Sequence, residues 1–168
     1  MKNIYLVGFM GTGKTAVGKL LSKKLSKEFI EMDDLIEKKE GRKIVDIFAA
    51  WGESHFRKLE KQTLEEISHK TDLIVSCGGG LICSDDNSKI LLESGTVFCL
   101  TATAQTIYNR TKRHKHRPLL NVSDPLQEIK SLLNKRKPYY DKAHYSIDTE
   151  KTSPQEAADK IIETLNKN

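Results

Sequence analysis

The stretch Gly8-Phe9-Met10-Gly11-Thr12-Gly13-Lys14-Thr15 constrains this chain more than any other. Two glycines with four residues between them, followed by Lys and Thr, form the pattern of a phosphate-binding loop. Such a loop needs a buried strand before it and a helix after it. Ile4-Tyr5-Leu6-Val7 is short, apolar and rich in strand-forming residues, as a central strand covered on both faces should be. Behind the loop Val17, Leu20, Leu21 and Leu25 recur at helical spacing, with Lys19, Lys23 and Lys24 on the opposite face. Glycines let the backbone approach a polyphosphate, and the N–H groups at the start of the helix aim partial positive charge at it. The expected nucleotide contacts are therefore Gly11, Thr12, Gly13, Lys14, Thr15 and Ala16. Lys14 is expected to reach the β- and γ-phosphates and the Thr15 hydroxyl to ligate Mg²⁺.

With 168 residues, one domain over 1–168 is expected, large enough for a core without disulfides. The hydrophobic share of 38% and charged share of 30% exclude a disordered chain, and no apolar run approaches the ~20 residues that span a bilayer. Met1-Lys2-Asn3 leads straight into the first strand, without the apolar stretch of a secretion signal, so the expected location is the cytoplasm. Cys77, Cys83 and Cys99 have no metal-like spacing and read as free thiols. A net charge of +5 suits an anionic ligand, and would suit nucleic acid equally.

Along the chain, Phe29–Met32 reads as a second strand. Asp33 and Asp34 follow at its carboxyl end, where open α/β sheets place ligand-contacting side chains. One of the two is expected to act as a helix cap and the other as a functional carboxylate. Gly41 breaks the next helix, a short amphipathic turn leads to Trp51-Gly52, and a longer helix carries Phe56, Leu59, Thr63, Leu64 and Ile67 on its buried stripe. Arg57 sits beside that stripe, flanked by Glu53 and Glu60 at ion-pair spacing, so a plain surface pair competes with a functional role. Leu73–Ser76 is a third strand and runs into Gly78-Gly79-Gly80, either a flexible turn or a close backbone approach to a ligand. A helix near Asn87–Leu92, a strand at Thr96–Leu100 and a helix at Thr103–Lys112 come next. Asp124-Pro125-Leu126-Gln127 opens another helix, expected to end at Pro138. Arg136 lies in its last turn, where the helix dipole favours a cation in any case. Tyr145–Asp148 reads as a fifth strand, and Ser153-Pro154-Gln155-Glu156 opens the final helix with a capping box. The alternation gives an α/β fold with a doubly wound, mostly parallel sheet of five strands.

A phosphate loop leaves the acceptor open. Arg57, Arg136, Asp33 and the triple glycine are candidates to converge on a small hydroxylated acid, since guanidinium groups match carboxylates bidentately and a carboxylate accepts from hydroxyls. The basic run between Arg110 and Arg117 reads as a solvated loop, a nucleic-acid contact without the expected aromatics, or a mobile lid over the nucleotide.

The order of these markers resembles the shikimate kinase family over essentially the whole chain. Gly8–Thr15, Glu31-Met32-Asp33, Gly41-Arg42, Phe56-Arg57-Lys58-Leu59-Glu60, Gly78-Gly79-Gly80, Arg117-Pro118-Leu119-Leu120 and Arg136-Lys137-Pro138-Tyr139-Tyr140 all stand in register. The resemblance implies a P-loop NTPase fold close to that of nucleoside monophosphate kinases, and transfer of the γ-phosphoryl group of ATP to the 3-hydroxyl of shikimate. It implies that Lys14, Asp33 and Arg117 are catalytic and that Asp33, Arg57, Gly78, Gly79, Gly80 and Arg136 bind shikimate. Arg110, Ser153 and Pro154 would flank the adenine. Residues 33–60 become a substrate-binding segment and 111–123 a mobile lid. Mg²⁺ would be held by Thr15, with Glu31 behind it through water, Glu31 departs from the Asp usual in the family at that position, and Asp34 is left as the helix cap. ATP, ADP and shikimate are the expected partners of a monomer that binds neither nucleic acid nor membrane. The alternatives are a gluconate kinase-like enzyme or a non-catalytic nucleotide-binding relative.

Overall fold

All five residues of the first strand, β1 (Asn3–Val7), are buried. Side chains along a strand alternate between faces, so its unbroken apolar run requires cover on both sides. In the computed structural model, which describes residues 2–112, 120 and 122–167, that cover is present. Ile4 and Leu6 join a cluster with Val17, Leu21, Ile74, Phe98, Leu100, Ile147, Ala157, Ala158 and Ile161. Tyr5 and Val7 join the opposite one with Leu64, Ile67, Leu91, Ile107, Ile129 and Tyr140.

The strands β1, β2 (Glu28–Glu31), β3 (Leu73–Ser76), β4 (Gly95–Thr101) and β5 (Tyr145–Asp148) form one sheet in the order β2-β3-β1-β4-β5. Its four pairings are all parallel, with Ile4 opposite Ile74 on one side and Thr96 on the other. Parallel pairing forces crossover connections, which the described chain supplies as helices: α1 (Lys14–Leu25), α2 (Met32–Glu40), α3 (Ile44–Ser68), α4 (Asp85–Ser94), α5 (Ala104–Thr111), α6 (Pro125–Tyr140) and α7 (Pro154–Asn166). Helices α1 and α7 cover one face; α3, α4, α5 and α6 cover the other. Each large side chain so buried contributes about 1.5–3 kcal/mol.

At the amino end of β1 the fully buried Asn3 ties three elements together. Its Nδ2 donates to Lys70 O at 2.9 Å, to Ile67 O at 3.3 Å and to the Tyr5 hydroxyl at 3.2 Å, while its Oδ1 accepts from Leu73 N at 3.1 Å.

Two local readings change. Strand β2 ends at Glu31 and α2 begins at once, so Asp33 and Asp34 fall inside the first helical turn; Glu31 takes the cap position without a side-chain cap bond, and Asp34 is not the cap. With no loop between strand and helix, neither aspartate precedes the first turn, although their charge still complements its dipole. Helix α6 runs past Pro138 to Tyr140: the ring removes one N–H near the end, yet Asp141 N still closes on Lys137 O at 2.9 Å. Helix α3 contains a break at Gly52, with φ 76° and ψ 177°, which separates the short amphipathic turn from the longer helix after it. The caps of α6 and α7 form as expected. Asp124 accepts from Gln127 N at 3.1 Å, and Ser153 and Glu156 make a reciprocal capping box.

Candidate active site

The loop 8–15 leaves the carboxyl end of β1, the central strand, and delivers its last residues into α1. Gly8 sits at φ +128°, and a Cβ there would stand 2.2 Å from Leu100 O, so β4 presses on the loop too closely for any side chain. The loop holds its own shape. Thr12 Oγ1 donates to Phe9 O at 2.8 Å, and Lys14 Nζ donates to Gly8 O at 2.9 Å and Phe9 O at 3.0 Å. Thr15 Oγ1 donates to Glu31 Oε2 at 2.6 Å across the gap to β2. Burial pushes the Glu31 carboxyl above its ordinary range, and the Thr15 hydrogen bond pulls against that.

Beside the loop opens a cavity of about 720 Å³, whose walls include Met10, Asp33, Phe56, Arg57, Glu60, Gly78, Gly79, Gly80 and Arg136. Helix α2 supplies Asp33, α3 supplies Arg57 and Glu60, and α6 supplies Arg136. Arg57 Nη1 donates to Glu60 Oε2 at 2.5 Å and Nη2 to Glu53 Oε1 at 2.7 Å. This is no surface pair, because the Glu60 side chain is only 2% exposed. Burial pushes the Glu60 carboxyl up to about 7, with Arg57 drawing it the other way. Burial also works against the Arg57 charge, but the carboxylates of Glu60 and Glu53 outweigh it and hold the guanidinium above its usual range. Arg136 is buried, with its Cζ 5.2 Å from the Phe9 ring centre, and its Nη1 has no hydrogen-bond partner among the described residues. A buried cationic donor left that way is costly unless an acceptor arrives.

The three glycines are explained by crowding. None is left-handed. A Cβ on Gly78 would stand 2.5 Å from Glu60 Oε1 and 3.3 Å from Asp33 Oδ1; on Gly79, 3.4 Å from Arg136 Nη1 and from Met10 N; on Gly80, 2.8 Å from Arg57 Nη1. The backbone of 78–80 thus lies directly against the charged groups of the pocket. The Tyr140 hydroxyl pins it by donating to Gly79 O at 2.7 Å.

On the other side of the loop, a cavity of about 250 Å³ is lined by Gly11, Gly13, Val17, Arg110, Thr149, Thr152 and Pro154, among others. Arg110 Nη2 donates to Thr149 O at 2.7 Å and Nη1 to Gly11 O at 3.3 Å. Pro154 lines this cavity, while the Ser153 side chain is engaged in the cap of α7. Ala16 is exposed on the first turn of α1.

The structure therefore gathers Asp33, Arg57, Gly78, Gly79, Gly80 and Arg136 around one cavity, and Gly11, Gly13, Arg110 and Pro154 around a second. Lys14 and Thr15 belong to the loop between them. Arg117, with most of the segment 111–123, lies outside the described residues. Sequence reasoning gave no role to Tyr140, which stood unused within Arg136-Lys137-Pro138-Tyr139-Tyr140, or to Thr149, an unremarkable polar residue after a short strand. It also read Glu60 only as a neighbour of Arg57. The thiols of Cys77, Cys83 and Cys99 are free; burial pushes all three up, Cys99 to about 12. Among the described residues no helix is long and apolar enough to cross a membrane.

The family profile described as shikimate kinase matches residues 10–166. A shikimate kinase of Thermodesulfovibrio yellowstonii is 48% identical over 162 residues, covering 96% of this chain and 94% of that protein. Among solved structures, the shikimate kinase from Acinetobacter baumannii in complex with shikimate superposes with a TM-score of 0.96 at 40% identity, covering 100% of this chain and 94% of the other. The shikimate kinase from Aquifex aeolicus gives 0.84 at 34% identity, with 99% and 97% covered.

Proposed function

This chain belongs to the shikimate kinase family, and from that premise we propose how its own residues transfer the γ-phosphoryl group of ATP to the 3-hydroxyl of shikimate, giving shikimate 3-phosphate and ADP. The carrying observation is Arg136, a buried guanidinium with an unmet donor in the cavity beside the phosphate loop. The carboxylate of shikimate supplies the missing acceptor, and Arg57, held in place by Glu60, grips it from the other side. Gly78, Gly79 and Gly80 bring bare backbone to the ring of the acid.

Asp33 accepts the proton of the 3-hydroxyl as that oxygen attacks the γ-phosphorus. The new O–P bond forms while the bond from phosphorus to the β,γ-bridging oxygen breaks; ADP leaves with the electron pair, and the proton passes from Asp33 to water. Lys14 exchanges the carbonyls of Gly8 and Phe9 for the β- and γ-phosphates and neutralises charge on the transferring group. Arg117, on the segment 111–123 that we assign as the lid, adds a second cation there. Arg110 and Pro154 border the adenine, Ser153 fixing the turn that presents Pro154. The rest of the expected nucleotide set, Gly11, Thr12, Gly13, Thr15 and Ala16, surrounds the phosphates.

Mg²⁺ fits the hard oxygens of Thr15 and Glu31, 2.6 Å apart at the ends of α1 and β2. Thr15 would be the direct ligand and Glu31 would hold metal-bound water. Among the described residues no group of three or more His, Cys, Asp and Glu is placed to hold an ion, so phosphate oxygens and water would complete the shell. When bound, the ion supplies charge neutralisation to the phosphates. We also assign it to the cytoplasm, whose reducing environment suits its three free thiols, and to a monomeric state.

The test is ADP release by the purified protein with Mg-ATP, with shikimate, gluconate or a nucleoside monophosphate as acceptor. Stimulation by shikimate alone is expected. Preferential stimulation by gluconate, or ATP binding that no acceptor turns over, would sink the reading.

A further inference from the structure

Thr149 lies just beyond β5, is 3% exposed, and connects the end of β4, the phosphate loop and Arg110. Its N–H donates to Thr101 O at 2.8 Å, locking it to the end of β4. Its hydroxyl lies 2.9 Å from Thr101 O and 3.1 Å from Thr12 O in the phosphate loop. Its carbonyl and hydroxyl both accept from Arg110, at 2.7 and 3.3 Å. The next residue completes the attachment. The Glu150 carboxylate accepts from Thr103 N at 2.8 Å, Thr103 Oγ1 at 3.0 Å and Thr106 Oγ1 at 2.6 Å, which fastens the first turn of α5, the helix that carries Arg110.

We propose that Thr149 is a positioning residue for the nucleotide, whose hydroxyl sets the spacing between the phosphate loop and the arginine that borders the base. The proposal rests on the assignment of Arg110 to the adenine side made above. One buried hydroxyl oxygen that faces the Thr12 carbonyl on one side and accepts from Arg110 on the other fixes a distance that two separate contacts would not. The phosphate loop keeps its own internal bonds from Thr12 and Lys14 to the carbonyls of Gly8 and Phe9 without Thr149. Loss of the hydroxyl therefore penalises ligands that must span both subsites and spares those that occupy only the loop.

The experiment is calorimetric titration of the full chain, as wild type, Thr149→Val, Thr149→Ser and Arg110→Ala, with three probes: Mg-ADP, Mg-tripolyphosphate, which has no base, and shikimate. Thr149→Val is expected to weaken ADP about tenfold while tripolyphosphate and shikimate stay within about twofold. Thr149→Ser, which keeps the hydroxyl, is expected to bind all three as wild type does. Equal loss of all three probes in Thr149→Val would mean a general structural role and overturn the proposal, as would unchanged ADP binding. Should Thr149→Val fail to fold, Thr149→Ala takes its place on the same terms: a loss of ADP affinity with tripolyphosphate and shikimate spared upholds the proposal, and unchanged ADP binding or an equal loss of all three overturns it. Arg110→Ala separates the two layers of the argument. If it weakens ADP and Thr149→Val does not, only the role of Thr149 falls; if it leaves ADP unchanged, the adenine-side assignment falls and this proposal with it.

Discussion

In the proposed clamp, Arg57 and Arg136 would divide one task between two states of charge compensation. Arg57 is already paired, with Glu60 and Glu53, whereas Arg136 keeps a donor unmet. Arg57→Ala should lower shikimate affinity by roughly two orders of magnitude or more and leave ADP affinity nearly intact, measured by titration; equal loss of both would make Arg57 structural. Glu60 carries a pH signature. Its carboxyl rises on folding from about the ordinary 4.5 to about 7 because it is buried, so between those values the folded protein holds a proton that the unfolded chain has lost. The resulting stability is fully present below 4.5 and disappears as pH rises through 7, on the order of 3 kcal/mol. Glu60→Gln should flatten that part of the curve of melting temperature against pH, and an unchanged slope would exclude Glu60 as its source. Sequence spacing placed Glu60 near Arg57 correctly. It did not reveal that Glu60 is buried, because the cover comes from Gly78 and the groups of α2 and α6, distant in the chain.

At the scale of elements, strands and helices were legible because their signals are local: apolar runs, helical periodicity, a capping box at Ser153 and a capping aspartate at 124. The misread positions were junctions. Asp34 is not a cap because strand and helix meet without a loop, and no local pattern announces that. The triple glycine was ambiguous for a similar reason, since a turn and a close approach look alike until the neighbours are known. The neighbours here give it a sharp consequence. Gly80→Ala would put a methyl against the Arg57 guanidinium at 2.8 Å, so kcat/KM for shikimate should fall roughly ten- to a hundredfold. The melting temperature should hardly move, because Gly80 is not at a positive φ. A large loss of stability with normal kcat/KM would show that the loop, not the clamp, bears the strain.

For the whole molecule, stability and function are held at opposite ends of the sheet. The phosphate loop and both cavities lie at the carboxyl ends of the strands, while Asn3 binds β1 to the end of α3 and the start of β3 at the amino ends. Asn3→Ala would strand a buried N–H and two carbonyls, costing about 2–4 kcal/mol and lowering the melting temperature by roughly 5–10 °C. Affinities for ADP and shikimate, measured well below the melt, should stay as in the wild type; a parallel loss would mean that the two ends are mechanically coupled.

The strand order also dictates when the site can come into being. β1 and its phosphate loop precede the other described strands along the chain, yet β1 pairs with β3 and β4, through partners such as Ile74 and Thr96. Until those strands exist, the earliest functional segment has no sheet to belong to, and its apolar residues wait unpaired. Assembly through such distant pairings is slow compared with helix formation. Thr149, which closes the nucleotide side, comes later still. The phosphate loop is thus among the last parts to acquire its working geometry, and a chain truncated between the loop and β5 would carry the complete phosphate motif without the arrangement that gives it meaning.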